Sequence, residues 1–354
     1  MTTWADAHAS AAVRASQLHA DLDIDLEKPI DVFHTVQRLG IVLAFSDLGA
    51  TSGLYLPVNA KQRFPGILLN SQHPRSRQRY TAGHELGHHA FKHSIEVDRD
   101  LEDHLELSLQ RGTLEGWPDR EKEAEAFGAW FLMPRRLLRA GLARQGLQAP
   151  RHPLDVYALS LWLGTSYTAT ARQLGTTRLI DAGTANRWAA LPPKGLKAAL
   201  SEGLNMTSYR SDVWWLDERA NGQPIDLRPG DRVVLNLPED VSTGYTWQLE
   251  ACPEVIKVVA DSFVDDWEPR FTAPWVPERA LRTGPGTEAL IGGAVPRAFV
   301  LDVAGDAEPG IYHLLLTYGR EWEDSPVGSF ELLVAVIAPL HGVQLSEQEL
   351  VVAA

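Results

Sequence analysis

The sequence predicts an α+β protein in two successive parts, a helix-rich half with one small sheet and then a β-sandwich. Apolar residues recur at helical spacing through most of the first half, and a group of short branched or aromatic runs interrupts them between 41 and 70. Past about residue 205, evenly spaced β-runs follow one another without long helices, which is the pattern of a sandwich.

Taken in order, residues 7–22 are alanine-rich with helical spacing, and 29–39 reads as a short helix ending at Gly40 in a C-cap position. The runs 41–45, 52–56 and 66–70 are bounded by Gly, Pro, Asn and Asp and suit a small sheet. A helix carrying His84-Glu85-Leu86-Gly87-His88 follows directly. From 120 to 130, and on to Met133-Pro134, apolar residues again sit at helical spacing, and 156–163 and 167–174 read as two further helices around Gly164. Leu191-Pro192-Pro193-Lys194-Gly195 marks a break, so the expected division is 1–190 as a first domain, 191–204 as a linker and 205–354 as a sandwich. Within the sandwich, 232–237, 256–260, 298–303, 312–318 and 330–337 are the strongest strand runs.

Composition narrows the function. The chain of 354 residues is 44% hydrophobic, enough for two cores. With 33 basic against 46 acidic residues its net charge is −13, which opposes general attraction to a phosphate backbone or an anionic membrane. Neither nucleic acid nor a lipid surface is therefore an expected direct ligand. The single cysteine, Cys252, rules out an internal disulfide framework and suits a reducing compartment. The start Met1-Thr2-Thr3-Trp4 lacks the basic and apolar regions of a signal peptide, and no run approaches a membrane span, so a cytoplasmic location is expected.

The chemistry sits in the H-E-x-x-H pattern. Residues four apart lie on one helical face, so His84 and His88 can aim both imidazoles at one metal ion while Glu85 projects beside it. Zinc with three protein ligands keeps a position open for water and lowers that water's pKa to about 7, and Glu85 is then the expected general base. Phe91 and Ser94 stand where a metzincin carries glycine and histidine, which makes a carboxylate the expected third ligand. Of Glu121, Glu123 and Glu125, the expected ligand is Glu123, four and seven residues before Phe127 and Trp130 and so on their face, with the other two in solvent. His89 and His93 are also four apart but lack a following glutamate; they read as surface groups or as supports behind the ligands.

These motifs, from Gln78-Arg79-Tyr80-Thr81 through the H-E-x-x-H helix and Glu121-Lys122-Glu123-Ala124-Glu125-Ala126-Phe127 to Leu132-Met133-Pro134, resemble the ImmA/IrrE family of metallo-endopeptidases. Ser52-Gly53-Leu54-Tyr55, Ile67-Leu68-Leu69-Asn70 and the stretch 156–166 fit the same pattern, and the resemblance covers about residues 7–180. It implies a minimal zincin-like core, one zinc ion (or manganese) held by two histidines and a glutamate, and limited cleavage of a regulatory protein, commonly a helix-turn-helix repressor. The glutamate before alanine in the family's second motif falls on Glu123, and Glu125 stands where the family often has Asn or Asp.

The second half resembles a different family, the chagasin-like cysteine peptidase inhibitors, which are immunoglobulin-like β-sandwiches presenting loops at one end. Ser242-Thr243-Gly244-Tyr245-Thr246-Trp247, Ile291-Gly292-Gly293 and Tyr318-Gly319-Arg320-Glu321-Trp322 stand in the order of those loops, over about 227–337. Val241, Leu290 and Glu321 depart from the family pattern. The resemblance implies a partner-binding end at Thr243, Gly244, Gly292, Gly293, Arg320 and Trp322, and as an alternative function a chain that blocks a cysteine peptidase with a merely structural zinc domain. The stretch 265–286, with Trp267 and Trp275, is long enough to be a binding loop or an ordered cover for a sheet edge.

Overall fold

A computed structural model describes residues 2–58, 63–93, 117–201, 204–206, 208–263, 295–323 and 325–344. The chain falls into two units. The first comprises 1–151 and 155–190 together with 339–354, and the second comprises 152–154 and 191–338.

In the first unit, helix α1 (Trp4–Asp21) begins at a capping box, with Thr3 and Asp6 each bonding the other's backbone N–H. It buries Ala7, Ala11 and Ala15, whose small side chains let another helix approach closely. After α2 (Val32–Arg38) come strands β1 (Val42–Ser46), β2 (Gly53–Leu56) and β3 (Gly66–Asn70). β1 and β3 run parallel and β2 is antiparallel to β3. The two helices that carry the chemistry are α3 (Arg75–Phe91) and α4 (Asp119–Leu132), followed by α5 (Arg135–Arg144), α6 (Pro153–Leu163), α7 (Tyr167–Thr176) and α8 (Ala182–Ala189). Arg79 fastens α3 in place, donating to the carbonyls of Ile30, Leu163 and Gly164. Gly164 has φ +65°, a left-handed turn where a side chain would also meet Arg79 at 2.8 Å.

The expected linker 191–204 is more structured than a linker. It carries helix α9 (Pro193–Leu200), with Pro193 pre-set for the first helical position, and this helix belongs to the second unit. Lys197 on α9 is buried and bonds the carbonyls of Tyr209 and Ser211 and the carboxylate of Asp212. The sandwich follows as β4 (Val213–Leu216), β5 (Pro224–Leu227), β6 (Arg232–Glu239), β7 (Thr246–Ala251), β8 (Ile256–Phe263), β9 (Val295–Val303), β10 (Gly310–Gly319) and β11 (Gly328–Val336). One sheet has the order β5-β11-β10-β7 and the other β4-β6-β9-β8. Leu235, Leu237, Phe299, Leu316, Phe330 and Leu332 meet between them in one core. Strand β12 (Gly342–Gln344), at the end of the expected sandwich domain, instead pairs antiparallel with β1 and extends the first unit's sheet to β12-β1-β3-β2. Among the described residues no helix is long and apolar enough to cross a membrane.

Candidate metal centre

The site begins with two helices in backbone contact. A Cβ on Gly87 would lie 2.9 Å from the Cα of Ala124 and 3.0 Å from its carbonyl oxygen, and one on Gly128 would lie 3.0 Å from the backbone nitrogen of His84. Glycine and alanine are therefore what allow α3 and α4 to touch, and the contact face of α4 is the row Glu121, Ala124, Glu125 and Gly128. Carboxylates on that row reach the histidines of α3.

Three donor atoms converge there. His84 Nε2 is 3.2 Å from His88 Nε2 and 3.3 Å from Glu121 Oε2, and His88 Nε2 is 3.6 Å from the same oxygen. Ligands at the corners of a tetrahedron with metal bonds of about 2.0–2.2 Å lie about 3.3–3.6 Å from one another, so this set fits a zinc ion. Among the described residues it is the one group of histidine, cysteine or acidic side chains close enough to hold a metal, and all three members are buried. Glu85, the expected base, is buried at 3% exposure beside them.

The carboxylate that the structure brings to both histidines is Glu121, whereas the expected ligand Glu123 stands apart from them. Glu123 Oε2 lies 3.1 Å from His93 Nε2, and Glu123 is absent from the converging group. The helical-face argument rested on Phe127 and Trp130, but Phe127 packs two ways, on Phe131, which stacks on His19 of α1, and on Phe91 of α3, so it does not single out the row of α4 that faces the histidines. The small residues Ala124 and Gly128 carried the signal, since Glu121 sits three and seven residues before them. Nor is Glu121 solvated as expected; it is 3% exposed.

Each histidine of the group is held from behind. His84 Nδ1 donates to Glu125 Oε2 at 3.0 Å, and Glu125 Oε1 accepts from the Tyr80 hydroxyl at 2.9 Å. His88 Nδ1 meets His93 Nδ1 at 3.0 Å. His89, by contrast, turns to Tyr55 on β2, its Nδ1 2.9 Å from the phenol oxygen.

The electrostatics follow from burial and these contacts. Burial alone would lower the pKa of His84, but hydrogen bonds to Glu121 and Glu125 and the nearby Glu85 overcome it and raise the value to about 10. Burial alone would raise the Glu121 carboxyl, and the two imidazoles instead hold it well below the usual carboxylate range. Burial keeps His88 below its ordinary value, the charge on His84 adding to the effect.

At one end of the sandwich the loop residues also come together. Arg320 stacks over Tyr245 at 4.3 Å and over Trp322 at 5.9 Å, and its Nε donates to the Thr243 carbonyl at 3.0 Å. Gly244, at φ +76°, sits where a Cβ would meet Trp322 at 3.1 Å. Trp322 is 72% exposed. Gly292 and Gly293 lie outside the described residues, as does the stretch 265–286.

Residues 36–148 match the family model described as the IrrE N-terminal-like domain of peptidase family M78, and residues 226–334 match the chagasin family peptidase inhibitor I42 model. The chain joins an IrrE-like domain to a chagasin-like domain. The candidate metal site lies within the IrrE-like domain, and that match suggests a metallopeptidase-like protein. Solved structures similar to the chagasin-like part include the cysteine protease inhibitor EhICP2 from Entamoeba histolytica, 18% identical over 37% of this chain and 100% of that one, with a TM-score of 0.28. Amebosin is 17% identical over 36% and 98%, with a TM-score of 0.25, and PbICP-C, solved in complex with falcipain-2, is 19% identical over 38% and 96%, with a TM-score of 0.20. No curated protein matches the chain.

Proposed function

We propose that the chain is a zinc-dependent endopeptidase in which His84, His88 and Glu121 hold the metal and Glu85 is the general base. The observation that carries this reading is the convergence of three buried donors at 3.2–3.6 Å beside a buried glutamate. Zinc held there would supply Lewis-acid polarisation of a scissile carbonyl, and a set of two imidazoles and one carboxylate favours zinc over manganese. Glu85 accepts the proton of the attacking water and passes it to the departing amine. The substrate is a regulatory protein cut at a limited number of sites, a helix-turn-helix repressor by likeness to the ImmA/IrrE family, within the cytoplasm. The chagasin-like loops around Arg320 and Trp322 recruit the protein partner, a role suited to an exposed indole ring held by a stacked guanidinium.

Metal content separates the roles. Zinc measured by mass spectrometry should be near one per chain in the wild type and in Glu85→Gln and largely lost in Glu121→Ala, with Glu85→Gln inactive. The substrate claim is read by comparing new protein N-termini in cells carrying the wild type, Glu85→Gln or Trp322→Ala. A few sites dependent on Glu85, one of them in a repressor and weakened by Trp322→Ala, are expected. Equal zinc in wild type and Glu121→Ala, or no Glu85-dependent cleavage, would sink the reading.

A further inference from the structure

The outer nitrogen of His84 meets a carboxylate directly, whereas that of His88 meets another imidazole. His93 reaches that position because α3 stops two residues earlier, at Phe91. Lys92 adopts a left-handed conformation, φ 56°, and the His93 backbone N–H bonds back to the His88 carbonyl at 3.0 Å, which folds the chain end under the helix. His93 then lies edge-on to His88 with ring centroids 5.1 Å apart and flat against Phe91 at 5.6 Å, its side chain 12% exposed. Its far nitrogen meets Glu123.

The protons on this chain of groups have one consistent arrangement. For His88 Nε2 to offer a lone pair to a metal, its proton must sit on Nδ1 and be donated to His93 Nδ1. His93 then carries its own proton on Nε2 and donates it to Glu123 Oε2. Every donor has an acceptor, and the single negative charge is at the end remote from the metal.

We propose that His93 and Glu123 are positioning residues in series behind His88, fixing its tautomer and ring orientation for metal binding, so that the E-x-E-x-E run of α4 serves the centre three times. Glu121 binds the metal, Glu125 holds His84, and Glu123 holds His88 through His93. This inference rests on the metal reading of the site, and no residue in it touches substrate.

The test is zinc affinity by competition with the chromophoric chelator 4-(2-pyridylazo)resorcinol, on the full chain. His93→Leu should weaken binding about 10–100-fold, the usual consequence of removing a group that orients a ligand. Glu123→Ala should weaken it less, and the double variant should be no weaker than His93→Leu, because groups in series are not additive. His93→Asn, whose Oδ1 can accept the His88 proton, should recover part of the loss, and the visible bands of the Co²⁺-substituted protein should shift in His93→Leu. Wild-type zinc binding with His93→Leu within twofold of it overturns the positioning role alone. Additive losses overturn the series arrangement, and equal losses in the Leu and Asn variants with a matching fall in metal-free melting temperature mean that His93 only packs. A wild type that takes up no zinc overturns the metal reading itself and the inference with it.

Discussion

His84 joins every part of the centre: one nitrogen faces His88 and Glu121, the other faces Glu125, and the ring is buried. With its pKa raised to about 10 when no metal is bound, it is protonated at neutral pH, and a metal must displace that proton to bind. The direction is fixed by the titration: below about 10 the metal-free protein holds the proton and the loaded protein does not, and above it neither does. Zinc binding near pH 6, below the ionisation of a zinc-bound water, should therefore release about one proton per chain from His84. Calorimetric titrations in buffers of different ionisation enthalpy measure this number directly. A buffer-independent heat near pH 6 would mean that His84 is neutral before the metal arrives, and that its contacts to Glu121 and Glu125 do not hold a charge.

At the scale of elements, the centre exists because α3 and α4 approach to backbone contact. On an exposed helix, glycine to alanine is favourable by up to about 1 kcal/mol through intrinsic propensity. At Gly87 the added methyl meets the backbone of Ala124, which cannot swing aside, so overpacking of about 1–3 kcal/mol outweighs that gain. At Gly83 the nearest atoms are the Leu132 side chain at 3.2 Å and the Gly128 Cα at 3.3 Å, contacts that need a smaller shift than the 2.9 Å backbone contact at Gly87. Gly87→Ala should thus lower the melting temperature and the zinc affinity together, by pushing Glu121 away from the histidines, while Gly83→Ala should do less of both. Thermal melts and chelator titrations of the two variants decide the order. The same contact explains what was legible in the sequence. His84, Glu85 and His88 follow from spacing within one helix, but the choice among Glu121, Glu123 and Glu125 depends on how a second helix is rotated. Bulky residues suggested Glu123, whereas Ala124 and Gly128 marked the face that touches α3. The support from His93 depends on a left-handed Lys92, a conformation that lysine does not announce.

At the scale of the molecule, most of the strand runs in the second half were legible because their alternating apolar residues enter one core, as Leu235 and Leu237 do on β6. The destination of the last strand was not. Gly342–Gln344 is short and Val343 is exposed, so no apolar face fixes its partner, and backbone pairing alone places it at β1, opposite Leu43, Ala44 and Phe45. The Gln37 side chain also donates to the Gln344 carbonyl at 3.3 Å. The second unit is consequently an insertion in the first along the chain, entered near residue 191 and left near 338. Ending the chain after Ala338 would remove β12 and leave the β1 edge unpaired. Each backbone hydrogen bond lost is worth about 0.5–1.5 kcal/mol, and an uncovered edge invites pairing with other chains. Hydrogen exchange in the truncated protein should accelerate at Leu43 and Phe45, whose amides face β12, and leave the β6 and β10 amides unchanged, with greater aggregation on heating. Unchanged protection at Leu43 and Phe45 would show that β12 contributes no stability to the first unit's sheet, and that this last strand is only a passing contact.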